Sequence, residues 1–319
     1  MRTKNKVLLG FGIIMIFLIG FIGGSAYYVL GGLNTTKIAS DDESLGITKD
    51  TNTKDGIENI ALFGVDDRGN TDKGRSDATM ILSVNQDTGA LKMVSLLRDS
   101  KVAVDGHGNT KLNHAYAYGG PELAIKTINQ NFNTDIKEYV TVNFGQLADI
   151  TDAVGGVNLS LTPAEVTSAN SNLRMDAPDS PLLSGSGEML LNGDQAVAFA
   201  RIRKIDSDNA RADRQQQVLK AIFQKIQTMP KTDYPRFIKE FLSIAETSLN
   251  YSDLFGLSPI MLNGNLAIEQ YQVPDENEAP WGGTDTDGVW YWKYDLNAAA
   301  NRIHTIIYGA GDASTATPN

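Results

Sequence analysis

The sequence predicts an α/β body, a mixed central β-sheet with helices on both faces, preceded by one transmembrane helix. Three observations carry that expectation. Short continuous apolar runs such as Asn59–Val65 read as strands buried on both faces. Helical periodicities and cap signals alternate with those runs, which is the pattern of a layered α/β fold. Val7–Leu30 holds 24 residues without a charge, and about 20 apolar residues suffice to cross a bilayer as a helix.

Arg2, Lys4 and Lys6 precede the apolar segment, whereas Asp41, Asp42 and Glu43 follow it. The positive-inside rule then places residues 1–6 in the cytoplasm and everything beyond the span at 7–30 outside. The alternative is a cleaved signal peptide with Gly24-Ser25-Ala26 as its small-residue site, although such peptides have an apolar region of only about 7–15 residues. Either way the main body is exported. Residues 31–56 are polar and lack apolar periodicity, so they read as an extracellular linker. Residues 57–308 form the folded domain, and 309–319 read as a disordered tail.

Within that domain, strands are expected at Asn59–Val65, Thr79–Val84 and Leu91–Leu97, the last two joined by the turn Gln86-Asp87-Thr88-Gly89. Pro121 opens a helix that runs to Phe132. A strand at Tyr139–Phe144, a helix at Gly145–Val154, the stop Gly155-Gly156 and a strand at Val157–Leu161 follow. Pro163–Glu188 reads as a polar loop, and Leu191–Ala200 as a helix. In the long helix Arg211–Met229, Val218, Leu219, Ile222, Phe223 and Ile226 share one face. Helices at Tyr234–Leu249 and Asp253–Leu262 precede a strand near Ala267–Val273. An aromatic loop with Trp281, Trp290, Tyr291 and Trp292 then leads to a last helix, Leu296–Ile307.

Composition narrows the chemistry. A net charge of -10 argues against nucleic acid as a partner and makes any arginine cluster informative. The absence of cysteine excludes disulfides, thiolate nucleophiles and cysteine-bound metals. The three histidines lack zinc-ligand spacing, and neither a nucleophile elbow nor a P-loop nor a dinucleotide fingerprint is present.

Three clusters remain. Asp66 and Arg68 end the first strand, and Arg75 and Asp77 begin the next, where α/β folds place ligands. Two such carboxylates offer hard oxygens suited to Mg²⁺ held with substrate phosphates; the alternative is a set of solvated or mutually paired charges. Arg98-Asp99 follows the third strand and precedes Lys111-Leu112-Asn113. A guanidinium fork matches phosphate oxygens, and a structural ion pair with a carboxylate is the other reading. In the third cluster, Arg201 and Arg203 fall on one side of an extended stretch, and Arg211, Arg214 and Gln215 share one face at a helix start. Their alternative is a salt-bridge network with Asp206, Asp208 and Asp213. The tryptophan region could serve as a sugar platform or simply pack on the body.

Taken in order, these segments resemble the LytR–CpsA–Psr family of cell-wall glycopolymer transferases. The residues that carry the resemblance are Gly64-Val65-Asp66-x-Arg68, Arg75-Ser76-Asp77-x-Thr79-Met80, Arg98-Asp99 and Lys111-Leu112-Asn113-x-Ala115-Tyr116-x-Tyr118-Gly119-Gly120. Asp152-Ala153-x-Gly155-Gly156-Val157, Leu191-Asn192-Gly193-x-Gln195-Ala196, Ala200-Arg201-x-Arg203 and Arg211-x-x-Arg214-Gln215-Gln216 continue it.

The resemblance implies a polyprenyl-pyrophosphate-linked glycopolymer (teichoic acid, capsule or a related polysaccharide) as donor and peptidoglycan as acceptor, at a bacterial membrane surface. Asp66 and Asp77 correspond to the family's Mg²⁺-associated aspartates. Arg75, Arg98, Arg201 and Arg203 correspond to the pyrophosphate-holding arginines, with Arg68, Lys111, Arg211, Arg214 and Gln215 as further donor-binding residues. Arg98 and Asp208 take the catalytic roles, Asp208 as the base for the acceptor hydroxyl. The family usually has proline before Arg-Asp, where this chain has Leu97, so the third strand is expected to run one residue further. A pyrophosphatase with the same donor site, or a non-catalytic envelope regulator, are the alternative functions.

Overall fold

The computed structural model describes residues 36–39, 41–49, 51, 53–65, 74–202, 268–275 and 278–309, with scattered positions between 214 and 249. The membrane span expected at 7–30, most of the helices expected between 234 and 262, and the tail beyond Gly309 lie outside the described residues. The chain divides into two compact units, one built around 142–245 and the other around 35–141 with 246–319.

The second of these units contains the mixed central sheet. Its strands are β1 (Ile57–Val65), β2 (Ser76–Asn85), β3 (Leu91–Leu96), β6 (Glu138–Asn143), β9 (Glu246–Thr247) and β10 (Ile268–Val273), in the order β10-β3-β2-β1-β6-β9. β1, β2 and β3 pair antiparallel, while β10 lies parallel to β3. Ala61, Phe63 and Val65 join one core cluster, and the alternate positions Ile60 and Leu62 are buried as well. Burial on both faces is what an uninterrupted apolar run requires, because neither set of side chains can face water.

Two helices pack into that cluster, α1 (Leu112–Phe132) and α5 (Leu296–Tyr308). α1 starts nine residues before the proline expected to open it. Leu112, Ala115 and Tyr116 bury one face of its first turns, and Gly120 at φ 72° kinks the helix before Pro121. Only glycine takes that conformation without a Cβ clash, so the two helical halves join there. A hairpin of β4 (Lys101–Val104) and β5 (Gly108–Lys111) leads into α1. The aromatic segment near the C-terminus is likewise a hairpin, β11 (Trp281–Thr284) with β12 (Trp290–Lys293), instead of a loop. The polar stretch before β1 is partly packed: Leu45 and Ile47 are buried in the core, and Asn129 Nδ2 donates to the Leu45 carbonyl at 2.9 Å. Glu246–Thr247 pairs with β6, so the helix expected to reach Leu249 does not.

The other unit holds α2 (Phe144–Ala153), β7 (Val157–Leu161), α3 (Pro163–Asp176), β8 (Gly187–Leu191) and α4 (Gly193–Ala200). Capping boxes open all three helices, with Asn143, Thr162 and Asn192 accepting from the backbone of Gln146, Glu165 and Gln195. α3 occupies half of the segment expected to be loop. β8 pairs antiparallel with β7, so the helix expected from Leu191 begins only at Gly193. Gly193 permits close helix packing: a Cβ there would lie 2.2 Å from the Ala148 carbonyl oxygen.

Candidate functional site

In the unit with the central sheet, charged groups gather where β2 begins and β3 ends. β3 stops at Leu96, one residue short of the expected end, because the Leu97 carbonyl accepts from Ser100 N–H at 3.0 Å and closes a turn. Arg98 and Asp99 occupy that turn. It is tied to the start of α1 by backbone bonds from Asn113 to Arg98 (3.0 Å) and from Leu112 to Ser100 (2.9 Å). A charged side chain on a tight turn anchored this way has little freedom except in its own rotamers.

The side chains form an alternating series. Arg98 Nη1 donates to Asp77 Oδ1 at 2.8 Å and Nε reaches Asp99 Oδ2 at 3.4 Å, while Lys111 Nζ lies 2.9 Å from Asp99 Oδ1. Burial works against the Arg98 charge, but Asp77 and Asp99 outweigh it and hold the guanidinium pKa above its ordinary value. The Arg98 side chain is still 45% exposed, so its fork remains open to an anion from solvent. Arg75, exposed one residue before β2, acts on His114 by its charge and so belongs to the same patch.

His114 stands in the first turn of α1 with Nδ1 2.8 Å from Thr110 Oγ1. Burial, then Arg75 and Lys111, push its pKa below the ordinary value, so the ring is neutral near pH 7. Asp99 was singled out beside Arg98 without a role of its own, and His114 was not among the expected site residues. The spacing Thr110-x-x-x-His114, bracketing Lys111, was the available signal for the histidine.

The other unit carries two of the expected residues. Arg201 is the C-cap of α4 at φ −93°, ψ 2°, which is not the extended conformation expected. A residue following an eight-residue helix completes its last turn, so Arg201 lacks the extended backbone on which the same-side reading rested. Its Nη1 donates to Asp176 Oδ2 at 2.9 Å. Arg214 is turned inward: Nε donates to Glu165 Oε1 at 3.0 Å and Nη1 to the Ile202 carbonyl at 3.4 Å. Asp66, Arg68, Arg203, Asp208, Arg211 and Gln215 lie outside the described residues.

Comparison with known proteins gives a consistent picture. The model of the LytR_cpsA_psr family matches residues 27–306. The polyisoprenyl-teichoic acid–peptidoglycan teichoic acid transferase TagU of Bacillus mycoides (strain KBAB4) is 32% identical over 312 residues, covering 94% of this chain and 96% of that protein. The protein of the same name from Bacillus subtilis (strain 168) is 29% identical over 314 residues, 94% of this chain and 95% of that one. Among solved structures, TagT bound to LI-WTA superposes with a TM-score of 0.58 at 25% identity, over 85% of this chain and all of that one. B. subtilis TagV shares the fold, with a TM-score of 0.57 at 24% identity over 80% of this chain and 99% of that one.

Proposed function

This chain belongs to the LytR–CpsA–Psr family, and from that membership we propose that it moves a teichoic-acid-type glycopolymer from a polyprenyl-pyrophosphate carrier to peptidoglycan. The observation that carries the reading is Arg98, a half-exposed guanidinium fixed on a turn at the end of a central strand with its fork in the mouth of a carboxylate pair. Phosphate oxygens can take over the hydrogen bonds that Asp77 and Asp99 now accept.

The chemistry balances as follows. An acceptor hydroxyl oxygen of peptidoglycan bonds to the phosphorus that carries the glycan. The bond from that phosphorus to the bridging oxygen breaks, and its electron pair leaves on polyprenyl phosphate. The hydroxyl proton passes to a carboxylate, the role that the resemblance gives to Asp208. Arg98, with Lys111 behind Asp99, neutralises the charge that develops on the phosphate oxygens.

A divalent cation fits the donor chemistry at the start of β2. No cluster of three or more His, Asp or Glu able to hold a metal occurs among the described residues, and Mg²⁺ needs only one or two carboxylates with substrate phosphates. Asp77 and Asp66 are the residues that would hold it, and it would supply charge neutralisation at the phosphates. The apolar segment at 7–30 supports a membrane anchor, which keeps the enzyme beside a lipid-linked donor.

The full chain in lipid nanodiscs, given labelled polyprenyl-pyrophosphate glycan and peptidoglycan oligomers, tests the proposal. Label on peptidoglycan, dependent on acceptor and abolished by a chelator, is the expected result. Release of glycan phosphate at the same rate without acceptor would identify a pyrophosphatase.

A further inference from the structure

All three tryptophans of the chain lie in the hairpin β11–β12. The register pairs Gly282 with Trp292 and Thr284 with Trp290, and opposite residues of an antiparallel pair share a face. Trp290 and Trp292 meet edge to face at 5.1 Å and 81°. Trp290 lies across the partner strand over Gly282, where a Cβ would come within 2.4 Å of the indole. The glycine therefore makes room for the indole of Trp290, which stays 40% exposed with the edge-to-face Trp292 beside it.

The opposite face anchors the hairpin. Tyr291 is buried, and Asp285 pairs with both Lys101 and Lys293, which joins β11–β12 to β4. The anchored hairpin also abuts the charged turn directly. Trp292 N–H donates to the Asp99 carbonyl at 2.9 Å, and Trp292 bridges to Ser100. The strand that carries Trp290 and Trp292 thus lies against the turn that carries Arg98.

Its chemistry selects among ligands. Flat indoles stack against the C–H faces of pyranose rings, and an exposed aromatic surface of this kind marks an interaction site. The charges around the turn balance, Asp285 and Asp287 against Lys101 and Lys293, so the hairpin offers no net positive charge to an anionic lipid surface or a polyphosphate chain. Uncharged N-acetylated hexosamine rings need none.

We propose that the Trp290–Trp292 face is the acceptor subsite, where N-acetylhexosamine rings of the peptidoglycan glycan chain stack beside Arg98. The assignment rests on the transferase reading for the identity of the acceptor. Because every tryptophan sits in this hairpin, intrinsic fluorescence of the full chain in detergent micelles reports on it alone. Titration with a tetramer of N-acetylglucosamine should give a saturable emission change. By calorimetry, Trp290→Ala should weaken binding about tenfold, or about 1.4 kcal/mol, while Trp290→Phe retains most of it. Trp281→Ala, on the other face, should bind as wild type, with circular dichroism verifying the fold of each variant. Equal affinity of Trp290→Ala and wild type, or no saturable change, overturns the subsite. In the transfer assay Trp290→Ala should raise the acceptor KM and leave the donor KM unchanged. Transfer with an unaltered acceptor KM overturns the subsite and leaves the transferase standing; tetramer binding lost in Trp290→Ala without any transfer in wild type supports the subsite and overturns the transferase.

Discussion

Replacing Arg214 by alanine should loosen the unit around α3 instead of the donor site, although the resemblance gives Arg214 a donor-binding role. Its side chain is 4% exposed and that of its partner Glu165 16%. Glu165 Oε2 also accepts from Thr162 N–H and Oγ1, both at 2.9 Å, so one carboxylate closes the cap of α3 and holds the arginine. Removing one partner of a buried pair costs about 3–5 kcal/mol, because the remaining charge keeps its desolvation penalty without its counter-charge. Glu165 retains some contact with water, which favours the lower end, about 3 kcal/mol. At about 1.4 kcal/mol per tenfold change, amides of α3 that exchange through unfolding of this unit should exchange roughly a hundredfold faster. Hydrogen–deuterium exchange read by mass spectrometry on peptides spanning Pro163–Asp176 measures this directly, and Arg214→Lys should give an intermediate value. Burial raises the Glu165 pKa, but the bonds from Thr162 and Arg214 more than compensate, so the folded value lies below the ordinary 4.5. The stabilisation is therefore complete above pH 4.5 and fades as pH falls through the depressed folded value. Unchanged α3 protection in Arg214→Ala, accompanied by loss of donor binding, would refute this reasoning and return Arg214 to the donor site.

Arg98→Ala should show the opposite signature. Its half-exposed side chain predicts a stability change within about 0.5 kcal/mol, while transfer should fall at least about a hundredfold; unfolding and turnover measured on one preparation separate the two. Gly193→Ala forces a methyl to 2.2 Å from the Ala148 carbonyl oxygen, so α2 and α4 must part, at a cost of about 1–3 kcal/mol visible as a lower denaturant midpoint. Hydrogen bonds from Lys101 and then Lys293 hold the Asp285 carboxyl well below its ordinary 3.8. Its contribution to the hairpin is full above pH 3.8 and lost as pH falls through the lower folded value. Tryptophan emission of wild type should accordingly be constant from pH 7 down to about pH 4, and Asp285→Asn should shift the emission already at pH 7.

Much of the sheet was legible because its signal is local. Asn59–Val65 and Thr79–Val84 are predominantly apolar runs, and each became part of a buried strand. Gly155-Gly156 ended α2 as expected, both at φ above +80° or equal to it. What escaped were elements whose apolar signal is thin. α3 buries only Val166, Ala169 and Leu173 along fourteen residues, so its polar sequence resembled a loop. Its capping box Thr162-x-x-Glu165, with Pro163 at the first position, was nonetheless written in the chain. The first half of α1 was hidden by Gly119-Gly120, which reads as a stop but serves as a kink. The aromatic hairpin was missed because Gly282-Gly283 weakens any strand pattern; here it makes room for the indole of Trp290.

By itself the sequence determined the types of group available: arginines and carboxylates at strand ends, an absence of thiols, a long apolar N-terminal segment and a family signature spread over many short motifs. Those are properties of residue identity and spacing, and they persist whatever the chain does in space. Only the tertiary structure decided which arginine faces solvent and which is spent on holding the fold. Arg98 and Arg214 look alike along the chain, but a turn after β3 leaves one fork open while the cap of α3 encloses the other. The difference is one of burial, which depends on residues more than forty positions away, and no local pattern encodes it.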